Sequence, residues 1–163
     1  MQPPIYLRLA LACIAALVLA SCATTPQPAR RSAVRRITHV RTTAFCRDEA
    51  GSGKHNATGQ RLSASGVRSA ASDWSRYPLG TRFRVAGSND EHVIDDYGWA
   101  LIGTDTIDLH KATRAEVARW GVRHVDIEVL EWGSRDRSLK LLRPRQGNRK
   151  VRRMVAALEA QKT

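Results

Sequence analysis

The sequence is poor in acids at its beginning: none of its 15 Asp and Glu residues precedes Asp48. It is also poor in cysteine. Cys13, Cys22 and Cys46 are the only three, and their placement leaves no internal disulfide framework to staple a small domain. No apolar run approaches the roughly 20 residues needed to cross a bilayer core. No cluster of His, Cys and carboxylates has the spacing of a zinc site, and there is no glycine-rich phosphate loop, so no metal or cofactor is expected. Aromatic residues make up 6% of the chain, yet four of them are Trp, which singles those positions out.

Set against these absences, 163 residues with 42% hydrophobic content suffice for one core and exclude a multidomain enzyme. The net charge of +12 would ordinarily suggest nucleic acid, but it is unevenly distributed. Residues 22–42 hold five Arg and no acid, and residues 134–163 hold ten bases and two acids. Between them, residues 43–133 hold eleven bases and thirteen acids, so the candidate folded core is nearly neutral. The basicity belongs to its flanks, and with an exported chain it argues for no nucleic-acid partner.

Export is indicated by the first 21 residues. Arg8 precedes the apolar run Leu9 to Ala20, which suits the middle of a secretion signal. The run ends in Leu19-Ala20-Ser21-Cys22, which resembles the bacterial lipobox; the alternatives are a short anchor or an ordinary cleavage site with a chance Cys. The resemblance implies lipid on Cys22, membrane attachment through it, and removal of residues 1–21. With Ala23 next rather than Asp, it implies an outer-membrane position facing the periplasm if the cell is Gram-negative. Residues 22–42, with Pro26, Pro28 and clustered Arg, read as a basic linker. Cys46 then remains as packing or as a reactive thiol.

The central segment reads as many short strands: Ile37–Cys46, Val67–Ser72, Thr81–Ala86, His92–Asp95, Thr106–His110 and one around Val125–Val129, which alternates with period two. Turn residues at Pro78-Leu79-Gly80 and Gly87-Ser88-Asn89-Asp90 divide them. Thr113-Arg114-Ala115-Glu116 is a capping box opening a helix whose inward face is Val117, Ala118 and Trp120, and Gly121 ends it. In the basic extension, residues 134–163, a second helix is predicted from about Asn148 to Glu159. Its apolar stripe is Val151, Met154, Val155 and Leu158, either packed on the domain or lying on a surface.

Several carboxylates fall where strands end: Asp95 and Asp96, then Asp105 and Asp108. Acids at turns are ordinary, and spacing alone does not make them a site. The order of motifs says more. Thr43-Ala44-Phe45-Cys46, Ser63-Ala64-Ser65-Gly66, Ala71-Ser72-Asp73 with Pro78-Leu79-Gly80-Thr81, Asp96-Tyr97-Gly98-Trp99-Ala100-Leu101-Ile102-Gly103, Ile107-Asp108-Leu109 and Trp120-Gly121-Val122-Arg123 follow one another. In that order they resemble the 3D domain, a module named for three aspartates and found in lytic transglycosylases of the murein lytic transglycosylase A type and in other cell-wall proteins. The resemblance covers residues 43–133 and implies a mainly β fold, a six-stranded double-psi β-barrel with one inserted helix, followed here by the C-terminal basic helix.

The resemblance further implies that the three aspartates are Asp73, Asp96 and Asp108. Asp108 would be the general acid and base, Asp96 would stand beside it in a cleft, and Asp73 would orient the site or bind sugar. Two departures are Ile102, where the family commonly has Lys, and one extra residue between Gly103 and Asp108. The implied substrate is the peptidoglycan glycan strand. Its cleavage needs a carboxylic acid that is still protonated near neutrality, then a carboxylate to accept the proton of the muramyl 6-hydroxyl as it closes a 1,6-anhydro ring. Two carboxyls sharing a site would raise the proton affinity of one. Tyr97, Trp99 and Trp74 offer faces for sugar rings, with Thr43 and Gly98 beside the carboxylates. The contrasting reading is a module that holds glycan without cutting it, with the basic tail on anionic lipid or wall polymer.

Overall fold

A computed structural model describes residues 34–48 and 53–161. The signal segment, Cys22 and most of the linker lie outside the described residues. Residues 31–163 form one compact unit. The element order is β1 (Arg35–Phe45), β2 (Arg68–Ala71), β3 (Arg82–Val85), β4 (Glu91–Asp96), β5 (Ile107–His110), α1 (Arg114–Trp120), β6 (Arg123–Glu131), α2 (Arg135–Leu142), a short 3-10 turn (Arg143–Arg145) and α3 (Arg149–Ala160). No helix among the described residues is long and apolar enough to cross a membrane.

The six strands close into a barrel in the order β1-β5-β2-β4-β3-β6. β1 pairs parallel with β5, and β2 parallel with β4, while the other neighbours are antiparallel. Parallel neighbours that are distant in sequence require crossover connections, as the double-psi class does. β1 begins at Arg35, so the barrel takes in eight residues of the stretch read as linker. Closure removes every sheet edge, and the inward positions alternate along each strand: Phe83, Ile94, Ile107, Leu109 and Ile127 are fully buried. β1 is irregular between Ile37 and Val40, where His39 has φ of 57°. Asp126 holds that kink by accepting from the His39 backbone N–H at 3.0 Å and from Arg36 at 2.8 Å, and Arg36 keeps the Asp126 carboxyl below its ordinary range.

The capping box of α1 forms, with one displacement: Thr113 Oγ1 accepts from the Glu116 N–H, but the Glu116 carboxylate accepts from Ala112 rather than from Thr113. The helix lies on the outside of the barrel. None of its residues is fully buried, and Ala118, expected on the inward face, is exposed. Gly121 ends it as read, with φ of 62°.

The C-terminal extension packs onto the unit instead of extending away from it. α3 starts where the sequence placed it, capped by Asn148, and buries Val151, Met154, Val155 and Leu158. α2, capped by Ser134 and not anticipated, buries Leu139 and Leu142. Together they cover Trp74, Tyr77 and Leu79 on the 73–81 connection, all in the same core. The Leu79 N–H donates to Ser138 Oγ at 2.9 Å, and the Ser134 N–H donates to Leu79 O at 2.9 Å.

Gly133 is the pivot of this docking. A Cβ there would lie 2.2 Å from Pro78 O, 2.4 Å from Leu79 O and 2.6 Å from Thr81 N, all backbone atoms that cannot swing aside. Gly133→Ala is therefore expected to cost about 3 kcal/mol in urea unfolding, whereas Gly147→Ala, which meets open space, should cost little. Equal stabilities for the two variants would contradict this account of how the extension is attached.

Candidate functional site

The site begins with an irregularity in β4. Ala70 of β2 is in register with Ile94, but Ala71 is in register with Asp96, so Asp95 is an extra residue at the end of the strand. Such a bulge re-aims the side chains at a strand end. The Asp95 carboxylate accepts from Asn56 Nδ2 at 2.8 Å and from Ser69 Oγ at 2.7 Å, while burial raises its proton affinity. Asn56 in turn uses its Oδ1 to hold the loop that follows, accepting from Thr58 N–H, Thr58 Oγ1 and Gln60 N–H. One half-buried acid thus anchors the 56–60 loop.

That loop forms one wall of an open depression of about 330 Å³ lined by His55, Asn56, Ala57, Gly59, Asp96, Tyr97, Trp99 and Arg145. Asp96 accepts from the Tyr97 N–H at 2.9 Å and also from the Ala57 backbone N–H. These bonds favour the ionised carboxylate, as does Arg145. Burial opposes them and prevails, with Asp95 adding like charge, so the Asp96 carboxyl is raised to about 6. The acidic neighbour acting on it is Asp95, where the sequence had suggested Asp108.

Asp96 and Asp108 do stand at one level of the barrel. Ala71 is the register partner of both, so the two strands flank β2 with backbones about 10 Å apart, twice the strand spacing. Asp108 does not line the depression. Its Oδ1 accepts from Thr43 Oγ1 at 2.6 Å, the residue in register with it on β1.

Asp73 lies outside the lining of that depression. It is 3% exposed; Oδ1 accepts from Ser75 N–H and Ser75 Oγ at 2.8 and 2.7 Å, and Oδ2 from the Gly103 N–H at 2.6 Å. It ties the 97–104 loop to the start of the 73–81 connection, so this acid is a brace with its oxygens occupied. Trp74 is fully buried, and its Nε1 donates to Asp96 O at 2.8 Å, so no ring face is open to a sugar. It supports Tyr97 edge-on, 5.1 Å between centroids, and Tyr97 meets Trp99 edge-on at 6.1 Å. Trp99 is 53% exposed and does offer a face. Gly98 lies in the turn closed by Leu101 N–H to Gly98 O, outside the lining of the depression. Asp105 forms an exposed ion pair with Arg76 at 3.3 Å. Cys46 is fully buried at the end of β1, as expected of a packing residue.

Arg145 is the residue that sequence reasoning missed. It comes from the extension, donates to Ala57 O at 2.8 Å, and holds its guanidinium 6.0 Å from the Tyr97 ring centre. Arg145 adds a weak favourable positive charge near Asp96 from a different part of the chain. Nothing in a run of tail arginines marks this one, because its role depends on how α2 and α3 dock. Lys150 also reaches the domain, donating to Trp99 O, whereas Arg143 pairs within the extension with Glu159.

The Asp96 shift has a sign that stability can read. Its folded value near 6 exceeds the ordinary 3.8, so the native state holds the extra proton between those values and loses stability as pH rises through that window. Above it, the cost of burying the anion is about 2–3 kcal/mol. His92, buried against Phe83 and lowered to about 4 by burial, acts in the opposite sense, so a comparison of variants is needed. Asp96→Asn should be about 2 kcal/mol more stable than the parent at pH 8 and nearly equal to it at pH 4. A gain that is the same at both pH values would overturn the assignment.

No family model matches the chain, and no curated protein matches it. Among solved structures, it is similar to the crystal structure of MltA from E. coli, at 23% identity over 48% of this chain and 27% of that one, with a TM-score of 0.37. It is likewise similar to an aspartate-to-alanine variant of the E. coli lytic transglycosylase MltA in an apo form, at 21% identity over 49% of this chain and 28% of that one, with a TM-score of 0.37. The chain thus spans a little over a quarter of the length of the structures it resembles.

Proposed function

We propose that this protein acts on peptidoglycan at the cell envelope, as a lytic transglycosylase-like enzyme that cleaves the MurNAc-GlcNAc bond and leaves 1,6-anhydro-MurNAc. The observation that carries the reading is Asp96: a half-buried carboxyl raised to about 6, on the wall of an open depression with Tyr97 and Trp99 beside it. A group of that kind is poised to give a proton to a leaving glycosidic oxygen near neutral pH. Once ionised, the same carboxylate takes the proton of the muramyl 6-hydroxyl as that oxygen attacks C1, so no activated water is required. In this reading Asp96 takes the acid role expected for Asp108, which stands at the same level of the barrel and is bonded to the Thr43 hydroxyl. Trp99 supplies the sugar platform, and Arg145 limits how far the proton affinity of Asp96 rises.

The proposal includes export, lipid on Cys22 and attachment to a membrane facing the wall, supported by Leu19-Ala20-Ser21-Cys22. The outward side of α3, with Arg149, Arg152 and Arg153, is offered to anionic lipid or wall polymer. A second reading, a module that holds glycan without cutting, is favoured by the openness of the depression, whose 330 Å³ suits little more than a sugar ring. Residues 31–163, the compact unit, incubated with purified sacculi, should release 1,6-anhydro muropeptides. Asp96→Asn should reduce the release at least about 100-fold, with Asp108→Asn retaining more activity than Asp96→Asn. Sedimentation with sacculi and no anhydro product from the parent would decide for the binding module.

A further inference from the structure

A second hollow, of about 280 Å³, lies between α1 and the 63–68 segment, apart from the depression at Asp96. Its lining includes Arg68, Lys111, Glu116, Arg119, Trp120 and Arg123. Four cations therefore line one hollow, with fewer acids than bases to neutralise them. Arg68 pairs with Asp90 at 2.6 Å through one terminal nitrogen, but its Nε is buried with no hydrogen-bond partner among the described residues. The carboxylate of Glu116 is turned to the Ala112 N–H. Counting Asp90 and Glu116 against the four cations leaves a surplus of two positive charges.

The surplus is held in place. Lys111 Nζ lies 4.5 Å from the centre of the Trp120 ring, and the Arg123 guanidinium 4.3 Å from it. Trp120 is itself fixed by donating Nε1–H to Thr42 Oγ1 at 3.2 Å. Arg123 is further secured by donating to the carbonyls of Trp120 and Arg119 at 2.7 and 2.6 Å. Cations pre-organised on an aromatic surface lose little freedom when they take a ligand. Half-burial first, then the nearby Arg68, make Lys111 easier to deprotonate than usual, against the opposing pull of Asp90 and Glu116.

We propose that this hollow is a phosphate site, binding a phosphate ester group through Lys111, Arg119 and Arg68. A phosphate carries roughly −1.5 to −2 charge at neutral pH and matches the surplus, whereas one carboxylate would leave a cation uncompensated. Arginine forks suit its several acceptor oxygens. The ligand is the phosphate of a lipid headgroup or of a soluble phosphate ester.

The test is an NMR titration of residues 31–163 at constant ionic strength, with inorganic phosphate as the probe and acetate as the control. Phosphate should shift the Trp120 indole and the amides of Lys111 and Ala112 along a saturating curve, and acetate should not. Lys111→Met and Arg119→Ala should each weaken saturation at least fivefold, while Arg76→Ala, which removes only an exposed ion pair with Asp105, leaves it unchanged. Shifts linear in phosphate, equal shifts with acetate, or parental affinity in both pocket variants would overturn the site. Anionic phosphatidylglycerol vesicles then separate the sources. Release of vesicle-bound protein by phosphate, absent in Lys111→Met, supports a lipid headgroup; vesicle binding unaffected by Lys111→Met, with phosphate still saturating, supports a soluble ester.

Discussion

The Asp96 carboxyl is partly desolvated, and its charge is only partly compensated. Two backbone N–H groups and the guanidinium of Arg145 favour its charge, while burial and the adjacent Asp95 disfavour it more. An ordinary surface aspartate loses its proton far below neutrality and has nothing to give a leaving group. Holding the proton near 6 requires a scaffold that partly desolvates the carboxyl without supplying a full counterion. Each feature around the depression bears on that balance: the bulge at Asp95, the 56–60 loop gathered by Asn56, and the aromatic pair Tyr97 and Trp99.

The barrel alone does not complete this environment. β4 supplies the carboxyl and the loop after β1 supplies the Ala57 N–H, but the cation arrives from the 3-10 turn beyond α2. That turn is held in reach because Leu139, Leu142, Val151, Met154, Val155 and Leu158 bury themselves against Trp74 and its neighbours. Trp74 links the two, with its backbone N–H 3.2 Å from Met154 Sδ and its indole bonded to Asp96 O. A segment that composition marks as a charged tail is thus part of the folded unit, and its apolar stripe does as much as its charge. The same separation of roles holds for the acids: Asp73 braces the 97–104 loop, and Asp95 fastens the 56–60 loop.

Much of the barrel was legible because its strands are short and bounded by turn chemistry, and because Thr113 with Glu116 and Gly121 with its positive φ are local signals. Asn148 with the stripe from Val151 to Leu158 marked α3 in the same way. What was not legible depended on pairing. The start of β1 at Arg35 follows from its register with Val129, which no local pattern in an arginine-rich stretch discloses. The first turn of α2 carries Arg135, Asp136 and Arg137 around a single serine cap, and its apolar residues are few. Trp74 reads as a free aromatic until the two C-terminal helices are laid over it, and Arg145 reads as one more tail cation until they dock. The extra residue at Asp95 shows only when β4 is set beside β2.

The most direct measurement is a carbon-detected NMR titration of the side-chain carboxyls in residues 31–163 between pH 3 and 9, with Asp96 assigned by comparison with Asp96→Asn. The account predicts that the Asp96 carboxyl titrates near 6, and that Arg145→Met moves its midpoint higher. A midpoint near that of an unburied aspartate, about 4, would contradict the account.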